Sequence, residues 1–243
     1  MQLNTFEVKN VWFDIREAIQ EVVDAISMQA SSKNMRLNAI IPTKKCKLLA
    51  DKQRIVQIVI NLVQNAIKFA QVGPITIRVW LDNESSQDQE TASLFLQVED
   101  KGIGIEPEEM ALLFTDYGIL RSGLSMNPNG VGLSLSICKQ ICQRLGGDIE
   151  CRSEKNKGST FTFHVQAQLF NDSNSPVCQS VTASNFNIHH HASENQFSMT
   201  NDISYLFEKM CMVMLQEPKL FNGTSLKVLI DNAVTIEALE TQN

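Results

Sequence analysis

Apolar residues at positions 15, 18, 19, 22, 23 and 26 follow a helical period. Asp14–Ser31 is therefore expected to be a helix started by that aspartate. Met35–Ile41 alternates apolar with polar residues until Pro42, the pattern of a strand. Asp51–Ala70 reads as a long helix. Ile75–Leu81 and Ser93–Val98 read as two strands of a hairpin joined by the polar loop Asp82–Thr91. Gly130–Leu145 is expected to be a helix stopped by Gly146-Gly147. Ile149–Ser153 and Thr160–Gln168 are expected to be two closing strands around the turn at Asn156-Lys157-Gly158. Strands and helices mixed with hairpins predict an α/β, two-layer sandwich on a mixed sheet.

The pattern changes after residue 170. From Asn171 to about Asn201 the chain turns to Ser, Asn, Gln and His, a linker composition with little to bury. The expected organisation is a domain at 1–170, a polar linker at 171–225 with a short helix at 203–215, and a last piece at 226–243. Beyond 170 the tail is expected to be mostly disordered.

Composition narrows the partners. A formal charge of −6 and a pI near 5.3 argue against nucleic acid as a bulk electrostatic partner. No basic cluster supports membrane contact, and Met1–Asn10 lacks the layout of a signal peptide. The apolar stretch Ile55–Val63 is interrupted by Gln57 and Asn61, too polar to span a bilayer. Six cysteines at 46, 138, 142, 151, 178 and 211 have no framework spacing and read as buried thiols in a reducing compartment. The expected location is cytoplasmic, as a protein or as the cytosolic part of a longer membrane-bound one. His189-His190-His191 lies in a polar tract and reads as solvated chain in preference to a metal site.

Candidate chemistry begins on the long helix. At 100° per residue, Arg54, Gln57, Asn61, Gln64, Asn65 and Lys68 lie along one line. Such a stripe could simply face water. Asparagine is a poor helix former, however, and the last turns of the stripe carry no acid. Amide oxygens suit a magnesium ion that keeps its charge for phosphates, and Lys68 offers those phosphates a point charge. Asp100 follows a strand and precedes Gly102 and Gly104. Its carboxylate can accept amino hydrogens from adenine, while the glycines let the backbone approach the base. Gly130 and Gly132 open a helix, where exposed N–H groups bind anions. Between them Thr115–Asn129 resembles a mobile lid. Its only cation, Arg121, is the candidate for the γ-phosphate.

In this order, Asn61-x-x-x-Asn65-Ala66-Ile67-Lys68-Phe69, Asp100-x-Gly102-x-Gly104-Ile105, Phe114 and Gly130-x-Gly132-Leu133 resemble the N, G1, F and G2 boxes of sensor histidine kinases. Gly146-Gly147-Asp148-Ile149 and Gly158-Ser159-Thr160-Phe161 resemble the end of the same domain. The likeness covers about residues 5–166. It implies the Bergerat ATP-binding sandwich, with helices on one face of a mixed sheet and ATP and Mg2+ as cofactors. By resemblance Asn65 is the Mg2+ ligand with Asn61 beside it, and Lys68 lies near the phosphates. Asp100 reads adenine, Gly102 and Gly104 approach it, and Gly130 and Gly132 cradle the triphosphate. Thr160 supports Asp100 through water.

Two departures stand out. Ser134 occupies the place of the third glycine of the G2 box, which puts lid closure in question. The family's acceptor histidine lies on a helical hairpin before this domain, whereas the histidines here are at 164 and 189–191. Transfer to a histidine on dimerisation helices in another chain or a missing segment is the expected function. The alternative is a module that binds nucleotide or a partner and catalyses nothing. ATP-hydrolysing relatives of the fold use a glutamate as general base where Asn61 stands, and an amide cannot take that proton. Finally, Leu226–Ala233 resembles the first strand of a receiver domain, with Asp231 in place of the usual pair of acids.

Overall fold

The computed structural model describes residues 7–42, 46–70, 73–82, 91–116, 118 and 132–170, together with the backbone of 183–187. All belong to one compact unit, Lys9–Ala192, apart from residues 7 and 8.

Its elements run β1 (Val11–Asp14), α1 (Ile15–Ser32), β2 (Arg36–Pro42), β3 (Lys47–Ala50), α2 (Lys52–Phe69), β4 (Pro74–Asp82) and β5 (Thr91–Glu99). A 3-10 turn at Pro107–Leu112 follows, then α3 (Ser134–Arg144), β6 (Asp148–Glu154), β7 (Gly158–Leu169) and β8 (Ala183–Asn187). The sheet order is β1-β3-β7-β5-β4-β2-β8, and β6 pairs with the early part of β7. β2 and β4 are parallel and the other pairs antiparallel, so the sheet is mixed as expected.

Local chemistry sets the helix ends. Asp14 caps α1 by accepting the Arg16 N–H at 3.0 Å, and its other carboxylate oxygen pairs with the Arg16 guanidinium at 2.8 Å. Asp51 caps α2 by accepting from Arg54 N, and it also accepts the Lys9 N–H at 2.9 Å. Ile15, Ile19, Val22, Val23 and Ile26 of α1 are buried, as their period requires. Alternate residues of β5 and β7, among them Leu94, Leu96, Phe163 and Val165, are fully enclosed beneath the helices. Each such side chain contributes about 1.5–3 kcal/mol of burial. The opposite face carries a cross-strand stack, Trp80 on Phe95 at 5.2 Å and Phe95 on His164 at 5.1 Å.

Three expectations require correction. α3 starts at Ser134, not at Gly130, because Gly132 has φ +72, outside the right-handed helical region. β1 and β3, which pair antiparallel, were not expected as strands; each has only four residues. A strand also interrupts the expected linker, since β8 adds to the free edge of β2 with Ala39 opposite Phe186. The expected helix at 203–215 and the expected receiver strand at 226–243 lie outside the described residues.

Candidate functional site

Thirteen of the eighteen residues of α2 are buried, and four of the six residues of the polar stripe are among them. Arg54, Gln57, Asn61 and Gln64 are each less than a tenth exposed, so this is not a water-facing stripe. Arg54 answers its own burial in part by donating to Gln57 Oε1 at 2.9 Å. Asn65 and Lys68, at the C-terminal end of the stripe, are half-buried. The Lys68 ammonium lies 6.0 Å from the centroid of the Phe69 ring.

Asn61 links two helices. Its Nδ2 donates to the Ser134 carbonyl and to Cys138 Sγ, both at 2.9 Å. An amide nitrogen carries two protons, so both are used and Oδ1 is identified as the other end of the group. The first turn of α3 is thereby tied to the middle of α2. Ser134 takes part through its backbone, which any residue at that place would supply. Cys138 and Cys142 are buried thiols, and burial pushes the Cys142 thiol upward. Among the described residues no group of three His, Cys, Asp or Glu could hold a metal ion.

The other wall is the loop that leaves β5. Asp100 is 5% exposed. Its N–H donates to the Ser159 carbonyl at 2.9 Å, and its Oδ1 accepts from Gly102 N at 2.7 Å. Burial pushes the carboxyl up to about 6, against the lowering effect of backbone hydrogen bonds from Gly102 and Ser159. Gly102 bridges to Ala70 so closely that a Cβ would strike the Phe69 carbonyl and the Asp100 carboxylate. Gly104 has φ +67, and a Cβ there would strike the Glu154 carbonyl. The Ile103 N–H donates to Phe69 O at 3.2 Å, and the Ile103 carbonyl accepts from Asn156 N at 2.7 Å. Ile105 N donates to Ser153 Oγ at 2.9 Å.

Thr160 is not beside Asp100. It lies opposite Glu99 in the β5–β7 ladder, at a half-buried position of a strand whose neighbours Ser159 and Phe161 face the helices. Glu99 turns to the open face, where it meets Arg78 at 2.5 Å and Lys101 at 2.6 Å. Alternation therefore places Thr160 on the far side of the sheet from the Asp100 carboxylate. The β7 residues that meet Asp100 are Gly158 and Ser159. Ser159 and Ser153 were not expected as site residues. Their signal is a polar side chain at the inward phase of a strand, after Ile149 and Cys151 in one case and before Phe161 in the other.

Phe114 is half-buried, with the Lys139 ammonium 5.4 Å from its ring centroid, so the segment after the 3-10 turn packs on α3. Gly132, with its positive φ, sits just before α3, whereas Arg121 and Gly130 lie outside the described residues. A cleft of about 710 Å³ borders the outer side of the loop, lined by Ile103, Gly104, Glu106, Glu109, Lys155 and Asn156 among others. It touches neither Asp100 nor α2, and a Glu106–Lys155 ion pair crosses it.

A buried carboxylate at a strand end, flanked by close-approach glycines and faced by an amide-bearing helix, defines a nucleotide-binding α/β sandwich. Residues 50–169 match the family described as Histidine kinase-, DNA gyrase B-, and HSP90-like ATPase. The chain thus carries an ATPase domain of this family, of the kind found in histidine kinases. It is 35% identical over 173 residues to hybrid signal transduction histidine kinase B of Dictyostelium discoideum, covering 70% of this chain and 9% of that one. It is 32% identical over 170 residues to the aerobic respiration control sensor protein ArcB of Escherichia coli, covering 69% and 21%. The matched part is thus a small fraction of these relatives' length. Among solved structures, the catalytic domain of histidine kinase ThkA, in a nucleotide-free form, superposes with TM-score 0.50 at 25% identity, covering 65% of this chain and 97% of that one. Full-length ShkA in complex with AMPPNP gives TM-score 0.54 at 23% identity, covering 69% and 33%, a likeness of fold. No helix among the described residues is long and apolar enough to cross a membrane.

Proposed function

We propose that residues 1–170 bind Mg2+-ATP and donate its γ-phosphoryl group to a histidine on a dimerisation helix in another chain or another segment. The buried Asp100 carboxylate carries this reading. A desolvated acceptor at the end of β5, held by the Gly102 N–H, suits the exocyclic amino group of adenine. The relation to hybrid kinases and to a fold neighbour bound to AMPPNP supports the choice of nucleotide. Asn65 would hold Mg2+, with Asn61 Oδ1 beside it, and a neutral amide donor fits an ion whose charge is shared with phosphates. When bound, Mg2+ neutralises developing charge on the transferring group. Lys68 would orient the phosphates, Arg121 would close on the γ-phosphate, and Gly130 and Gly132 would cradle the chain of phosphates. Thr160, on the open face, is left out of this assignment.

His164 is an unsuitable acceptor. It is paired with Phe95 and Asp148 in the middle of β7 and stacked on Phe95, so reaching the proposed nucleotide site would break the sheet. Calorimetry with a non-hydrolysable ATP analogue and Mg2+ tests the first half of the reading, and failure to bind would end it. Incubation with radiolabelled ATP and a separate dimerisation hairpin bearing a histidine tests the second. Acid-labile, alkali-stable label on the hairpin is expected, with none on this chain alone. Binding without label would leave the non-catalytic alternative in its place.

A further inference from the structure

We infer that Ser153 is a positioning residue for nucleotide binding, acting through the loop Asp100–Ile105; this rests on the ATP reading given above. The Ser153 hydroxyl lies where three pieces of the site meet. It accepts the Ile105 N–H at 2.9 Å, it lies 2.9 Å from the Gly158 carbonyl, and it lies 3.0 Å from Ser159 Oγ. A serine hydroxyl has one proton and two lone pairs. A carbonyl can only accept, so the Ser153 proton goes to Gly158 O. The Ile105 N–H and the Ser159 O–H then fill the two lone pairs. Every bonding position of the hydroxyl is used, and the Ser159 hydrogen is assigned to point at Ser153.

The consequence is mechanical. Gly158 packs against the backbone of Asp100 so tightly that a Cβ there would strike the Asp100 carbonyl. Ser159 supplies the carbonyl that accepts the Asp100 N–H at 2.9 Å. Ser153 therefore ties the far end of the loop, at Ile105, to the two residues that fix its near end, at Asp100. The Asn156 N–H to Ile103 O bond closes the same hairpin onto the middle of the loop. The other attachment, Ile103 N–H to Phe69 O, comes from α2 and does not pass through Ser153. Without the hydroxyl, the Ile105 N–H and the Gly158 carbonyl lose a shared partner, and the distance between the two ends of the loop is no longer set.

The test compares Ser153→Ala, Ser153→Cys, Ser153→Thr and Thr162→Ala for binding of non-hydrolysable ATP and GTP analogues with Mg2+. Loss of a bond of this kind corresponds to a weakening of about tenfold for ATP in Ser153→Ala. The adenine-over-guanine preference should shrink with it, and exchange of the Ile105 amide hydrogen should speed up. Ser153→Cys keeps the volume but offers a weak acceptor, so it should follow alanine. Ser153→Thr keeps the hydroxyl and should restore both affinity and preference. Thr162→Ala removes a bond from Gln97 on the open face of the neighbouring strand β7 and should change neither. Failure of the parent protein to bind ATP would remove the underlying reading and this inference with it. If the parent binds and Ser153→Ala binds equally well, the inference alone falls. Equal losses for ATP and GTP that threonine does not restore would make Ser153 merely structural and overturn it too.

Discussion

On one side of the proposed nucleotide site, residues 100–105 are held largely by main-chain atoms: the Ser159 and Phe69 carbonyls, the Asn156 N–H, and the close seats of Gly102 and Gly104. On the other side, α2 meets α3 through a side chain, the Asn61 amide bonded to Ser134 and Cys138. The two walls should therefore fail in opposite ways. A wall of backbone is indifferent to most side-chain losses but cannot accept added atoms. A wall of side chains tolerates small additions at its rim but loses its spacing when a linking group is removed.

The largest effect expected is from Gly104→Ala. The added Cβ meets the Glu154 carbonyl at a residue whose φ of +67 already disfavours any side chain. Strain of about 1–3 kcal/mol follows from the backbone alone, before the clash is counted. ATP-analogue binding should be lost, and the melting temperature should drop by several degrees. Near-normal affinity in this variant would show that the loop is not held against β6 as described.

Asp100→Asn separates fit from charge. Removing an acceptor aimed at adenine should cost about 1–3 kcal/mol in ATP affinity, with a smaller loss for GTP. The same change should stabilise the nucleotide-free domain at neutral pH. In the native state the Asp100 carboxyl titrates near 6, above its ordinary 3.8, so the folded protein holds that proton more tightly. The contribution of Asp100 to stability is thus best at low pH, falls as pH rises between about 4 and 6, and is level above that. The full difference is at most about 3 kcal/mol. Chemical denaturation of both proteins at pH 5 and pH 8 should show the variant's advantage growing with pH. An advantage that is flat with pH would mean the carboxyl is not desolvated.

Asn61→Ala probes the opposite wall. It removes two donors from α3 and leaves the Ser134 carbonyl without that partner, costing about 1–3 kcal/mol. Nucleotide affinity should fall with stability. Ser134→Gly should leave both nearly intact, because Ser134 contributes its carbonyl to this link. A large loss in the glycine variant would mean that the serine side chain matters to the cleft.

Periodicity was enough to locate α1, α2, β2, β4, β5, β6 and β7 to within about two residues, because each buries one face against the other layer. It failed at β1 and β3, whose four residues carry too little of a period, and at β8, whose reason to be a strand is the open edge of β2. Asp100, Gly102 and Gly104 were legible because close approach needs residue types that few other tasks require. Thr160 was misplaced because a motif gives order along the chain, whereas the face of the sheet depends on register. Counting in twos back from the buried Phe163 places Ser159 on the helix side and Thr160 on the other. Ser153 was missed because one serine on a strand looks like surface until Ile105 is seen to need an acceptor.

The smallest effect expected concerns the residue just before Asp100, and it tests whether one step along β5 changes walls. Glu99 pairs with Lys101 and Arg78 on the open face, and these hydrogen bonds hold its carboxyl below the usual glutamate value. A lowered acid contributes stability above its unfolded value of 4.5 and loses it as pH falls through the native one. Both basic partners are more than a third exposed, so water and salt screen the pairs, and Glu99→Gln should cost no more than about 1 kcal/mol. That cost should fade in high salt and vanish at low pH, the reverse of the pH trend at Asp100. ATP affinity should stay within about twofold, because the side chain points away from the proposed nucleotide site and a loss of this size lies near the limit of what screened pairs supply. A tenfold loss of affinity in Glu99→Gln would place Glu99 on the nucleotide side of the sheet, and the register that sets Ser159 against Asp100 would have to be redrawn.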